Sequence, residues 1–202
     1  MRRAKLGDLY CIKLSNGYKL YQWAYRIPRE GDFIRVFDGL YDSIPENLQE
    51  IVNSPHSYII SFYASRAYRI GLVDFLGNFP VPEEYPFPEY QIAFYRSSET
   101  GKIDTINVMN SDLRQRVNET FFGITRIEDL PEPFCNTTLL NGYLTPNWLF
   151  YLFDNGFDLQ HPERKYFDGN AEMVLQKYTD MVETALENER RQKLLKKQKQ
   201  TN

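Results

Sequence analysis

Residues 7–27, GDLYCIKLSNGYKLYQWAYRI, constrain the fold more than any other stretch, because two alternating runs flank an Asn-Gly pair. Alternation with a period of two sends successive side chains to opposite faces of a strand. Asn-Gly supplies the backbone conformation that a tight antiparallel hairpin needs. The pattern predicts strands at 7–14 and 18–27, joined by a turn at Ser15, Asn16 and Gly17. A lone hairpin is marginal in water, so more strands or a helix must cover it.

The next segments supply them. A turn from Pro28 to Gly31 leads into DFIRVFDGLY (32–41), a third strand carrying Phe33, Ile34, Val36 and Phe37. A short helix is expected at 42–55, with Ser43 as cap, Pro45 near the first turn and Glu46 placed for the macrodipole. Leu48, Ile51 and Val52 form its apolar stripe. A fourth strand follows at 57–64, its Ile59 and Ile60 buried on both faces, and 65–71 reads either as a helical turn or as a bulged continuation. Residues 72–80 are extended; 91–96 and 102–109 form a second hairpin around Gly101, and 119–126 reads as one further strand.

From Thr145 the pattern turns helical. TPNWLFYLFDNG (145–156) has Thr145 as cap, Pro146 at the first turn and Gly156 as a stop. Trp148, Leu149, Tyr151, Leu152 and Phe153 make it apolar on nearly every side, so it should be buried. A terminal helix runs from Ala171 to about Lys197, with Val174, Tyr178, Met181, Val182 and Ala185 forming a docking face that ends near Leu186.

The expected fold class is α+β. A twisted antiparallel β-sheet or partly open barrel fills the N-terminal two thirds, with a short helix after the third strand and C-terminal helices packed against it. The expected division is a β-rich core at 1–140, a helical part at 141–190 and a disordered basic tail at 191–202.

Between the two hairpins lies GNFPVPEEYPFPEY (77–90), which a sheet interior would not tolerate. Prolines at 80, 82, 86 and 88 remove backbone donors, so edge or polyproline conformation is expected. One reading is a crossover whose Phe79, Tyr85, Phe87 and Tyr90 cover the sheet edge. The other is a partner surface in which Glu83, Glu84 and Glu89 face outward from a stiff ribbon, at low entropic cost on binding. Rings inward and carboxylates outward would satisfy both. Glu83, Glu84, Tyr85, Phe87 and Glu89 are the candidate partner-binding residues.

Charge distribution bears on the partner. The net charge is −3, yet residues 189–202 carry +5, leaving −8 on residues 1–188. An acidic body argues against nucleic acid, whose binding depends on neutralising phosphates with Lys and Arg. It suits a basic protein partner. The tail RRQKLLKK lacks the interleaved aromatics of a nucleic-acid arm, and its cations suit a helix C-terminus. No apolar run is long enough for a membrane span, and the first residues do not read as a signal peptide, so a cytoplasmic protein is expected.

Catalytic chemistry is not legible. His56 and His161 are the only histidines, each beside proline in a polar loop, as surface histidines are. Cys11 and Cys135 make neither a metal framework nor a redox motif, and Cys11 reads as a small buried hydrophobe in its strand. A structural disulfide is not expected in the cytoplasm. Nucleophile elbows, P-loops and G-x-G-x-x-G are absent. The acid pairs Glu83-Glu84 and Glu128-Asp129 read as solvated charge. No catalytic residue, metal or cofactor is expected, and oligomeric state is not readable.

The stretches KLGDLYCIKLSNGYKLYQWAYRI, IRVFDGLY and RIGLVDFLGNFPVPEEYPFPEYQIAF resemble the immunity protein 26 family of bacterial polymorphic toxin systems. The resemblance spans roughly residues 5–96 and rests on Gly7-Asp8 before a hairpin and on Gly77, Pro80, Pro82 and Pro86. It implies a non-catalytic protein that binds and neutralises a cognate toxin domain, such as a basic nuclease. A small β-rich adaptor or ligand-binding module is the other reading of the same residues.

Overall fold

The computed structural model describes residues 3–28, 31–100, 102–112, 118–154 and 171–201. Its strands are β1 (Asp8–Leu14), β2 (Gly17–Ile27), β3 (Gly31–Phe37), β4 (His56–Ser61), β5 (Asp74–Asn78), β6 (Tyr90–Arg96), β7 (Ile103–Asn110), β8 (Asn118–Phe122) and β9 (Leu139–Tyr143). Helices are α1 (Leu48–Asn53), α2 (Ala64–Arg69), α3 (Pro146–Asp154) and α4 (Ala171–Thr201). The strands form one nine-stranded sheet in the order β5-β1-β2-β3-β4-β9-β6-β7-β8.

The first hairpin forms as its sequence dictates. Leu14 pairs with Gly17 and Tyr10 with Tyr21, so Ser15 and Asn16 alone make the link. The tip is docked: Ser15 donates from its backbone N and its hydroxyl to Asp154 at the end of α3, at 3.0 and 2.8 Å. The second hairpin, β6 with β7, also forms, and β8 extends it by a strand.

The sheet is mixed and open, neither all antiparallel nor a barrel, with β5 and β8 at its edges. The reason is β9, which sequence reasoning missed. It runs parallel to both neighbours, pairing Leu139 with Ile59 of β4 and with Gln91 of β6, and so fuses the two antiparallel halves. Its sequence, LLNGY, contains an Asn-Gly pair and is only five residues long, so locally it reads as a turn. The expected boundary at residue 140 falls inside this central strand.

Each face of the sheet has its own cover. Tyr10, Ile12, Tyr21, Trp23, Ile34, Val36, Tyr58 and Ile60 point to one side, where the buried residues 149–153 of α3 and Tyr178 of α4 close the main core. Leu9, Cys11, Leu20 and Phe37 point to the other, under Val52 of α1, and Phe33, Ile59 and Leu139 continue that side.

The helices differ from expectation at their ends. Asn47, not Ser43, caps α1, accepting from Glu50 N at 3.3 Å. Tyr41 is held extended by two backbone bonds to Tyr18, and Ile44 precedes a proline, so a helix cannot start earlier. Glu50 takes the acidic first-turn position proposed for Glu46. Residues 65–71, left open by the sequence, contain most of α2. Trp148 of α3 remains 38% exposed, because it lies beside the buried face of that helix.

Tyr178 of α4 is buried and Leu175 and Met181 pack on the core, whereas the Val174 side chain lies outside the described residues. Beyond Leu186 the helix does not stop. The tail expected to be disordered from residue 191 is helical to Thr201, with exposed side chains as far as Gln198. Lys, Arg, Gln and Leu are strong helix formers and cations suit a helix C-terminus, so composition sustains it. No helix among the described residues is long and apolar enough to cross a membrane.

Candidate functional site

The proline-rich ribbon is a strap lying across one face of the sheet. It leaves β5 at one edge and enters β6, six strands away in the sheet order. At ~4.8 Å per step that is roughly 29 Å, and eleven residues in polyproline conformation reach about 34 Å. The length of the ribbon is thus set by the crossing it makes. Prolines serve here because the strap donates to no ladder, and they keep it extended.

Three anchors hold it. At the root, Phe79 N donates to Gly7 O at 2.9 Å, Gln22 Nε2 donates to Phe79 O at 2.8 Å, and Asn78 Nδ2 donates to Asp8 Oδ1 at 2.7 Å. At the middle, the Tyr25 hydroxyl donates to Tyr85 O at 2.7 Å and the Tyr85 ring stacks over the Arg35 guanidinium at 4.4 Å. Toward the far end, Phe87 meets Phe33 and Tyr25 edge-on, with centroids 5.1 and 5.3 Å apart, and Ser111 N donates to Glu89 O at 2.7 Å.

The five candidate residues are therefore divided by orientation. Tyr85 and Phe87 are half-buried against the sheet, while Glu83, Glu84 and Glu89 are exposed. Tyr85 and Phe87 cover the sheet face rather than its edge, whereas Tyr90 begins β6 and packs on Phe134 in the main core. Gly7 and Asp8, with Gly77 just ahead of Phe79, belong to the root anchor. A Cβ on Gly77 would meet the Phe79 ring at 2.6 Å. The motif residues behind the family resemblance thus build the strap and do not display it.

Arg35 is the centre of the arrangement and sequence reasoning overlooked it. It sits in FIRVF at an inward position between Phe33 and Phe37, and that alternation was the available signal. Its side chain is fully buried. Nε donates to His56 Nδ1 at 3.2 Å, Nη1 to Gln22 Oε1 at 3.0 Å and Val52 O at 3.3 Å, and Nη2 to Ser54 O at 3.2 Å. Neutral acceptors and two aromatic rings, Tyr85 and Phe37, thus house a guanidinium. Burial lowers its pKa, opposed by Tyr25, Tyr85 and Glu84. The cluster joins β2, β3, α1, β4 and the strap in one network.

His56 departs from its expected place on a surface loop. It begins β4 half-buried, with Nε2 3.2 Å from the Thr138 hydroxyl and its ring edge-on to Tyr85. His161 lies outside the described residues. Burial, then the adjacent Arg35 charge, pushes the His56 imidazole down from 6.5 to about 4. The unfolded chain therefore binds this proton at a higher pH than the folded one. The contribution of His56 to stability is full above about pH 6.5 and falls as pH drops toward 4. We predict that urea denaturation of wild type and His56→Gln diverges most at pH 7, the wild-type advantage shrinking by on the order of 2 kcal/mol by pH 4. Curves that stay parallel across that range would contradict the assignment.

Cys11 and Cys135 are free thiols. Burial, with Asp74 nearby, pushes Cys11 up to about 11, which suits an inert core thiol. Among the described residues no group of His, Cys, Asp and Glu is arranged to hold a metal ion. What the strap can do chemically is display carboxylates on a rigid backing. Comparison with family models, curated proteins and solved structures gives no match for this chain.

Proposed function

We propose that the chain is a non-catalytic binding protein of the toxin-immunity type, presenting residues 83–89 of the strap to a basic partner. One observation carries the reading: Glu83, Glu84 and Glu89 are exposed while the intervening Tyr85 and Phe87 are clamped to the sheet. A preformed acidic ribbon loses little conformational freedom on binding, and its charge hastens encounter with a basic surface. The resemblance to the immunity protein 26 family supports a cognate toxin domain, such as a basic nuclease, as that partner, and action in the cytoplasm goes with it.

The test is co-expression with the product of a neighbouring gene as the candidate toxin, followed by co-purification and an affinity measurement. Wild type should protect the cell, and Glu83→Lys with Glu84→Lys should weaken binding by about ten- to a hundredfold, mostly through slower association. Failure of the wild type to bind, or full binding by the reversed variant, would rule the strap out as the contact. The reading as a ligand-binding module has an observation of its own, a cleft lined by three arginines.

A further inference from the structure

We infer that this arginine-lined cleft, on the side of the sheet away from the strap, binds a small phosphate-bearing anion. It encloses about 410 Å³ between the end of β2, α2 and the N-terminal segment, with Arg3, Arg26, Arg69, Trp23, Tyr68 and Ser65 in its walls. That volume lies in the range of small-molecule sites. No carboxylate contributes to the lining, although the chain carries a net charge of −3. The lining thus presents guanidinium groups alone, with the carboxylates that pair with Arg26 and Arg69 standing outside it.

Two of the three guanidinium groups have a carboxylate partner outside the lining. Asp32 accepts from Arg26 Nε at 2.7 Å and from Nη2 at 3.2 Å, and the Arg26 carbon lies 4.6 Å over the Trp23 ring. Glu189, reaching from α4, stands 3.5 Å from Arg69 Nε. A guanidinium carries five N–H donors, so Asp32 fixes the Arg26 fork and leaves donors over, while Arg69, only ion-paired, keeps its donors free to turn toward a ligand. Trp23 lines the cleft while only 2% exposed, so its ring is a fixed part of the wall.

Three forks around one cleft exceed what a two-oxygen carboxylate can accept, whereas a phosphate presents three terminal oxygens in different directions. Ser65 adds a hydroxyl donor to the same wall. The ligand class is therefore a compact phosphate or diphosphate group.

The measurement is a fluorescence titration with inorganic pyrophosphate. The chain has two tryptophans, so Trp148→Phe leaves Trp23 in the cleft wall as the reporter. Saturable change in Trp23 emission is expected, with affinity reduced about tenfold or more in Arg69→Gln and again in Arg3→Gln. Arg3 and Arg69 are exposed, and an unchanged melting temperature establishes that both variants fold. No response up to about 10 mM pyrophosphate, or a response that neither substitution moves, overturns the proposal. Citrate binding as tightly as pyrophosphate overturns the phosphate assignment. A single-stranded oligonucleotide that titrates where pyrophosphate does not would give the cleft to nucleic acid instead. The toxin domain takes no part in this assay, so its outcome is independent of the strap proposal.

Discussion

Arg35→Ala should destabilise the protein by about 3–5 kcal/mol, the largest effect expected of any single substitution on the strap side of the sheet. The physical reason is the number of groups stranded at once. Gln22 Oε1, Val52 O, Ser54 O and His56 Nδ1 each lose a charged donor, and the Tyr85 ring loses the cation beneath it. For a chain of this size each kcal/mol moves the melting temperature by about 2–4 °C, so a fall of roughly 10 °C should be seen by circular dichroism. Arg35→Lys should recover little, because one ammonium cannot reach acceptors on β2, β4 and both sides of the α1 C-terminus. Arg35→Met should cost less than alanine, since it removes the desolvated charge while filling the space. A loss below about 1 kcal/mol for alanine would mean that the network is incidental.

Gly7→Ala is expected to cost on the order of 2–4 kcal/mol, for a reason that involves no lost side chain. Gly7 has φ +88°, and a Cβ there would lie 2.5 Å from the Phe79 carbonyl oxygen. That oxygen cannot retreat freely, because Gln22 Nε2 holds it and Phe79 N is bonded back to Gly7 O. Relief of the clash must lift the root of the strap. The control is Gly39→Ala, where φ is +76° but nothing lies within 4 Å, so strain alone applies at about 1 kcal/mol. Equal melting temperatures for the two variants would refute the close-approach argument. Faster proteolysis within residues 79–89 in Gly7→Ala alone would support it.

Both substitutions test residues whose importance differs in legibility. Gly7 stood out because Gly-Asp opens a hairpin, yet its role became clear only once Phe79 was seen against it. Arg35 was readable as an anomaly, a charge alternating with Phe33 and Phe37, but its acceptors come from β2, α1 and β4, far apart in sequence. His56 differs from its surface-loop expectation for the same reason: proline and polar neighbours describe its local chain, whereas Arg35 and Tyr85 decide its burial. The outward glutamates and inward rings of the strap follow from residue type alone. Which surface the rings cover does not.

The local elements are legible in the residue order alone: both hairpins, the buried α3, the docking stripe of α4 and the stiffness of residues 79–89. These follow from side-chain periodicity, turn chemistry and proline geometry, which act over a few residues. Long-range packing alone makes LLNGY the strand joining the two halves, sends the ribbon across a face rather than along an edge, and brings three arginines from β2, α2 and the N-terminal segment to one cleft. Those outcomes depend on contacts between segments far apart in the chain. There, backbone groups and apolar faces left unsatisfied locally find their partners.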